Sequence, residues 1–84
     1  MKLELYKFEG CPFCMRVMNE IREEGRNDVE FHDIHQNEDD RQRLVRDGGV
    51  EQVPCLFIDG RPLYESADII EWLRANPASV DSRG

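Results

Sequence analysis

The 84-residue sequence predicts an α/β fold, a mixed four-stranded sheet with three helices in the order β-α-β-α-β-β-α. Three observations carry this expectation. Residues 2–8, KLELYKF, alternate like a strand, and from Cys11-Pro12 onward apolar residues recur at helical spacing. A second strand-like run around Val29 and Phe31 follows, which is the pattern of a parallel crossover unit. The second half holds two strand-like runs joined by Asp59-Gly60, a hairpin turn.

Taken in order, Leu3 and Leu5 point to one face of the first strand and Tyr6 and Phe8 to the other. Both faces therefore read as buried, as in an inner strand flanked by helices. Pro12 suits the first helical position, where its missing N–H costs nothing. Cys14, Val17, Met18 and Ile21 then form one apolar stripe, and Gly25 stops the helix. Val29, Phe31 and Ile34 make the second strand. Asn37 caps a second helix whose Glu38, Asp39 and Asp40 sit at its positive end, with Arg41, Arg43 and Arg46 further along and Gly48-Gly49 closing it. Val53 to Ile58 and Arg61 to Tyr64 form the hairpin. Ser66 caps a third helix with Ile69, Ile70 and Leu73 as its stripe and Trp72 beside it, and Pro77 ends it. One domain over residues 1–76 and a frayed tail over 77–84 are expected.

The formal net charge is −7, from 18 acidic and 11 basic residues. That balance repels phosphate backbones and argues against nucleic-acid binding. The N-terminal stretch MKLELYKFEG contains no uninterrupted apolar run, so neither a signal peptide nor a membrane span is expected, and a reduced, cytoplasmic setting is the default. Three cysteines are too few for a disulfide scaffold.

Cys11 and Cys14 are the chemically distinctive pair. A sulfur at a helix start meets unpaired backbone N–H groups and is stabilised as thiolate. Cys11 lies off the apolar stripe and is expected to be reachable, while Cys14 lies one turn later on the buried face. That asymmetry suits a nucleophile and a resolving thiol. The competing readings are a metal clip and a structural staple. Structural zinc wants four Cys or His ligands, there is no second Cys-x-x-Cys, and His32 and His35 read as ordinary solvated side chains, so no metal is expected. Pro54 at a strand start is either a trans edge residue or a cis proline that exposes backbone groups to an extended ligand. Cys55 reads as a buried apolar-like thiol, or alternatively as a third redox-sensitive one.

Together the strand-CPFC-helix segment, the VP-strand-DG-strand segment and YESADIIEWL resemble glutaredoxins of the thioredoxin-fold superfamily, over about residues 2 to 75. The resemblance implies a thioredoxin-like fold and a monomeric, soluble enzyme. It also implies reduction of protein disulfides and glutathione mixed disulfides with glutathione as electron donor. Cys11 would be the nucleophile, Cys14 the resolving thiol, Pro12 the active-site proline and Pro54 the cis proline. Phe13 would pack against glutathione, the Val53 backbone would pair with its cysteinyl unit, and the backbone at Ser66 would hold the γ-glutamyl carboxylate.

The departures have their own content. Glu65-Ser66 is more similar to the glutathione motif of glutathione transferase N-terminal domains, where Glu65 would meet the γ-glutamyl ammonium and Asp68 would support the helix dipole. Ala67 stands where an acid is frequent, and Gln52 where a threonine is frequent. Phe8 occupies the place of the usual basic residue, and strand alternation aims Lys7 to the opposite face. Arg41, Arg43 and Arg46 are the positional candidates for the glycyl carboxylate. A thioredoxin-reductase-dependent electron donor and an iron–sulfur-cluster module are the alternatives; Pro12 weighs against the latter, and the missing helical second domain against a transferase.

Overall fold

A computed structural model describes residues 1–78; the expected tail from residue 79 onward lies outside the described residues. The elements are β1 (Leu3–Lys7), α1 (Pro12–Glu24), β2 (Val29–Asp33), α2 (Glu38–Arg43), β3 (Cys55–Ile58), β4 (Arg61–Tyr64) and α3 (Ser66–Ala75). The sheet order is β2-β1-β3-β4. β1 runs parallel to β2, with Leu3 opposite Val29 and Lys7 opposite Asp33, and antiparallel to β3, with Tyr6 opposite Cys55. This is the expected mixed sheet.

Its two faces carry separate apolar clusters. Leu3, Leu5, Val29 and Leu56 pack with Val17 and Ile21 of α1 and Ile69 and Leu73 of α3. Tyr6, Cys55 and Phe57 pack on the other face with Ile34 and Leu44. All five residues of β1 are buried, because this central strand is covered on both sides.

Local signals act where the sequence places them. Cys11 is the N-cap of α1, Pro12 follows it, and Gly25 ends the helix in the left-handed region at φ 67°. Asn37 caps α2 by accepting from the backbone N–H groups of Asp39 and Asp40. The second helix does not run to Gly48 as one regular helix. It passes at Leu44 into a π turn that ends at Gly48, with Gly49 in the left-handed region. Gly48 lies against the Tyr64 hydroxyl, which donates to the Val50 carbonyl at 3.0 Å, and an added Cβ would collide with it.

Two features were not legible in composition. Arg26, just past α1, is fully enclosed: Nε and Nη2 donate to Asp28, and Nη1 donates to Glu24. Its remaining donors reach the backbone carbonyls of Leu73 at 3.1 Å and Asn76 at 3.0 Å, at the end of α3. His32 is not the solvated side chain expected. It stacks on Tyr6, with Nδ1 at 3.2 Å from Asp40 and Nε2 at 3.0 Å from Glu30, because β2 puts it on the face that α2 covers.

Candidate active site

Cys11 and Cys14 come together where β1 ends and α1 begins. The Cys11 N–H donates to the Phe8 carbonyl at 3.4 Å, tying the loop to the strand end. As N-cap, Cys11 turns its Sγ back over the first turn, where it accepts from the Cys14 N–H at 3.2 Å. Both sulfurs are free thiols. The expectation that Cys11 is openly reachable is corrected: only 5% of it is exposed, because the capping geometry folds its side chain inward. Cys14 has no exposure, as expected of the first residue of the α1 stripe. Burial, followed by the contact with Cys11, pushes the Cys14 thiol up to about 12, while the Phe8 backbone and the Lys7 charge pull the other way.

Beside the pair lies a cleft of about 480 Å³. Each of Phe13, Val53, Glu65 and Ser66, the expected glutathione contacts, lines it, and so does Pro54. The Val53–Pro54 peptide is cis. A slightly larger hollow, about 560 Å³, lies at the far end of the sheet where β1 and β2 begin, remote from both thiols.

The α3 end of the cleft differs from expectation. Ser66 is not the N-cap; it is the first helical residue and is buried, and Glu65 is the N-cap with no side-chain hydrogen bond to the helix. The first N–H groups of α3 therefore lack a side-chain cap on the cleft side, the arrangement that receives an anion. Glu65 holds φ 74° and ψ 119°, a backbone conformation that non-glycine residues rarely adopt. Its carboxylate accepts from Gln52 Nε2 at 3.3 Å.

None of the three arginines considered for a ligand carboxylate reaches this cleft. Arg41 is held by Glu38 and Glu51, Arg43 by Glu4, Tyr6 and Asp47, and Arg46 by Asp47. The cation in the cleft wall is Arg16, which is exposed and has no ion-pair partner among the described residues. Helical spacing contains the signal, since Arg16 lies three residues after Phe13 and so on the same side of α1.

Lys7 takes the face opposite Phe8, as strand alternation predicts. That is the face on which α1 packs. Lys7 continues the Leu3 and Leu5 row, on the side where Cys14 begins the α1 stripe.

Cys55 is fully buried opposite Tyr6 and Tyr64, and burial pushes its thiol up to about 11. A buried, protonated thiol is a poor nucleophile. The expected result of brief iodoacetamide treatment of the folded protein is therefore no label on Cys55. Quantitative labelling should appear after denaturation, as read by peptide mass spectrometry. The same measurement after mild oxidation decides the alternative reading, which requires a bridged or oxidised Cys55.

One group of described residues has metal-ligand spacing: Glu4, Glu30 and His32, with donor atoms within 4.8 Å of one another. The Glu4 oxygen that faces His32 also accepts from Arg43 at 2.8 Å, so that carboxylate is already neutralised.

The sequence profile of the glutathione S-transferase N-terminal domain family matches residues 5–80. A probable glutaredoxin of Synechocystis sp. is 32% identical over 71 residues, covering 81% of this chain and 77% of its own. The chain belongs to the glutaredoxin-like branch of the thioredoxin fold. Among solved structures, the thioredoxin-like protein BC3987 is 27% identical with a TM-score of 0.75, covering 88% of this chain and 97% of that one. Glutaredoxin C1 from Populus tremula x tremuloides, in its holo form, is similar in fold alone, at 21% identity and a TM-score of 0.68 over 88% of this chain and 75% of that one. Among the described residues, no helix of this glutaredoxin-like chain is long and apolar enough to cross a membrane.

Proposed function

We propose that this chain is a glutathione-dependent thiol–disulfide oxidoreductase acting on protein disulfides and glutathione mixed disulfides. The observation that carries the reading is the cleft beside the dithiol, which offers both signs of charge to one zwitterionic tripeptide. The uncapped start of α3 and Arg16 suit carboxylates, and Glu65 suits an ammonium group. Phe13, more than half exposed, gives the peptide an apolar wall, and the Val53 backbone offers strand-like pairing.

In this reading the Cys11 thiolate attacks a substrate disulfide and displaces one sulfur as a thiolate, leaving a mixed disulfide on Cys11. Cys14 then attacks Cys11 Sγ, the second substrate sulfur departs with the bonding pair, and a Cys11–Cys14 disulfide remains. Two glutathione molecules return the pair to the dithiol and leave as oxidised glutathione, so two electrons pass from glutathione to substrate. With a glutathionylated substrate, Cys11 takes up the glutathione and a second glutathione releases it, with no need for Cys14. A reducing compartment, the cytoplasm, and a monomeric state fit this cycle.

Arg16 supplies the test. Arg16→Glu should raise KM for glutathione about tenfold, the scale of a lost charge-assisted hydrogen bond, with little change in kcat. The assay is NADPH oxidation coupled through glutathione reductase with a small glutathione mixed disulfide as substrate. An unchanged KM would remove Arg16 from the site, and absence of glutathione turnover by the wild type would remove the proposed function.

A further inference from the structure

We propose that Lys7 is a positioning residue for the second half of the exchange: its buried ammonium group stabilises the thiolate that Cys14 becomes when it displaces the reduced product from Cys11. The inference rests on the function proposed above and adds a residue to it.

Three observations lead there. The first is placement. Lys7 is the last residue of β1, on the sheet face covered by α1, and Cys14 opens the buried stripe of that helix. Phe8, the next residue, ties the strand end to the Cys11 loop through its carbonyl. The described residues include two buried cations, and the other, Arg26, stands at the far end of α1.

The second observation is that Lys7 is poorly satisfied for a buried ammonium group. Its Nζ lies 3.4 Å from Glu9 and 3.6 Å from Asp33, both beyond the ~2.7–2.9 Å of a good charged hydrogen bond. The Glu9 side chain is 77% exposed, so water screens it. Asp33 already spends Oδ1 on the backbone N–H groups of His35 and Gln36 and turns Oδ2 toward Lys7. An ammonium group has three donors to place, and burying one with long contacts costs free energy unless another negative charge uses it.

The third observation is the need. Cys14 is enclosed and strongly disfavours ionisation, yet resolution requires its thiolate. Burial and the Cys11 sulfur oppose that ionisation, and the Phe8 backbone and, more weakly, the charge of Lys7 on the β1 face that α1 covers favour it. In this proposal Lys7 acts through its charge alone and takes no proton. In the step itself the Cys14 thiolate attacks Cys11 Sγ, the bond from Cys11 to the substrate sulfur breaks, and that sulfur leaves with the electron pair. It is then protonated in place of the proton Cys14 released to water.

The experiment uses a disulfide-bonded peptide, rapid acid quenching and mass spectrometry. It follows formation of the Cys11–peptide mixed disulfide and its decay to the internal disulfide. In Lys7→Met the ratio of decay rate to formation rate should fall about tenfold, the effect of a tenfold fall in the acidity constant of Cys14. Lys7→Arg should restore it. Lys7→Gln, with thermal unfolding of each variant as a control, repeats the test if the methionine variant folds poorly. An unchanged ratio in a folded Lys7→Met or Lys7→Gln overturns the inference, as does an arginine variant no better than the methionine one. If the wild type forms no mixed disulfide on Cys11, the proposed function itself fails, a result distinct from a failure of Lys7.

Discussion

Cys11→Ser should abolish disulfide reduction, by at least the order of 10³-fold that loss of an attacking nucleophile costs. Cys14→Ser should instead keep turnover of glutathione mixed disulfides while losing reduction of protein disulfides. The contrast follows from the geometry. Cys11 is the N-cap sulfur, with the backbone N–H of Cys14 directed at it. Serine at that place keeps the capping hydrogen bond and so preserves α1, but it offers no thiolate. Cys14 is enclosed and held as a thiol, so its one accessible partner is the neighbouring sulfur. A glutathione mixed disulfide on Cys11 can be released by a second glutathione from the cleft, whereas a protein mixed disulfide depends on attack from within. Parallel assays on a glutathionylated peptide and on a disulfide-bonded protein check both halves of this expectation.

The largest expected stability effect lies at Arg26. Arg26→Met should destabilise the fold by about 2–4 kcal/mol, because it removes the enclosed guanidinium's charged hydrogen bonds to the Leu73 and Asn76 carbonyls and to the Glu24 and Asp28 carboxylates, which water still reaches. In a domain of this size that corresponds to a fall in Tm of roughly 10 °C or more. The guanidinium joins the α1–β2 loop to the end of α3, through Glu24 and Asp28 on one side and the Leu73 and Asn76 carbonyls on the other. The effect should also depend on pH. The Arg26 hydrogen bond holds the Asp28 carboxyl below its ordinary value. A depressed carboxylate contributes stability above the unfolded-state value near ~4 and loses it as pH falls through the folded-state value. Glu24 goes the other way, raised first by burial and then by the neighbouring Glu20, so Asp28 carries the dependence. The difference between wild type and Arg26→Met should be full at pH 7 and shrink below about pH 4, as read from urea unfolding at several pH values.

Much of the fold can be read from residues whose effects are local. Alternation in KLELYKF, the Cys14-Val17-Met18-Ile21 stripe and the Asp59-Gly60 turn each act over a few positions, and the structure follows them. Phe13, Val53, Glu65 and Ser66 were expected together from the resemblance to glutaredoxins and glutathione transferase N-terminal domains, and they line one cleft. What escaped depends on contacts across the chain. Arg26 looks like any loop arginine until the end of α3 arrives above it, 47 residues later. For Lys7, strand alternation tells which face the residue takes but not which helix covers that face. Helical periodicity placed Cys11 off the stripe, but could not show its capping side chain folding inward. Ser66 reads as a cap by its type, yet the backbone turn at Glu65 moves the helix start one residue earlier.

The most direct measurement of the central claim compares reductants. NADPH consumption with a disulfide-bonded substrate is followed once with glutathione plus glutathione reductase, and once with thioredoxin reductase alone. The cleft beside Cys11 predicts steady consumption in the first case, dependent on Cys11, and none in the second. Consumption with thioredoxin reductase alone and none with glutathione would contradict it, as would equal rates for wild type and Cys11→Ser.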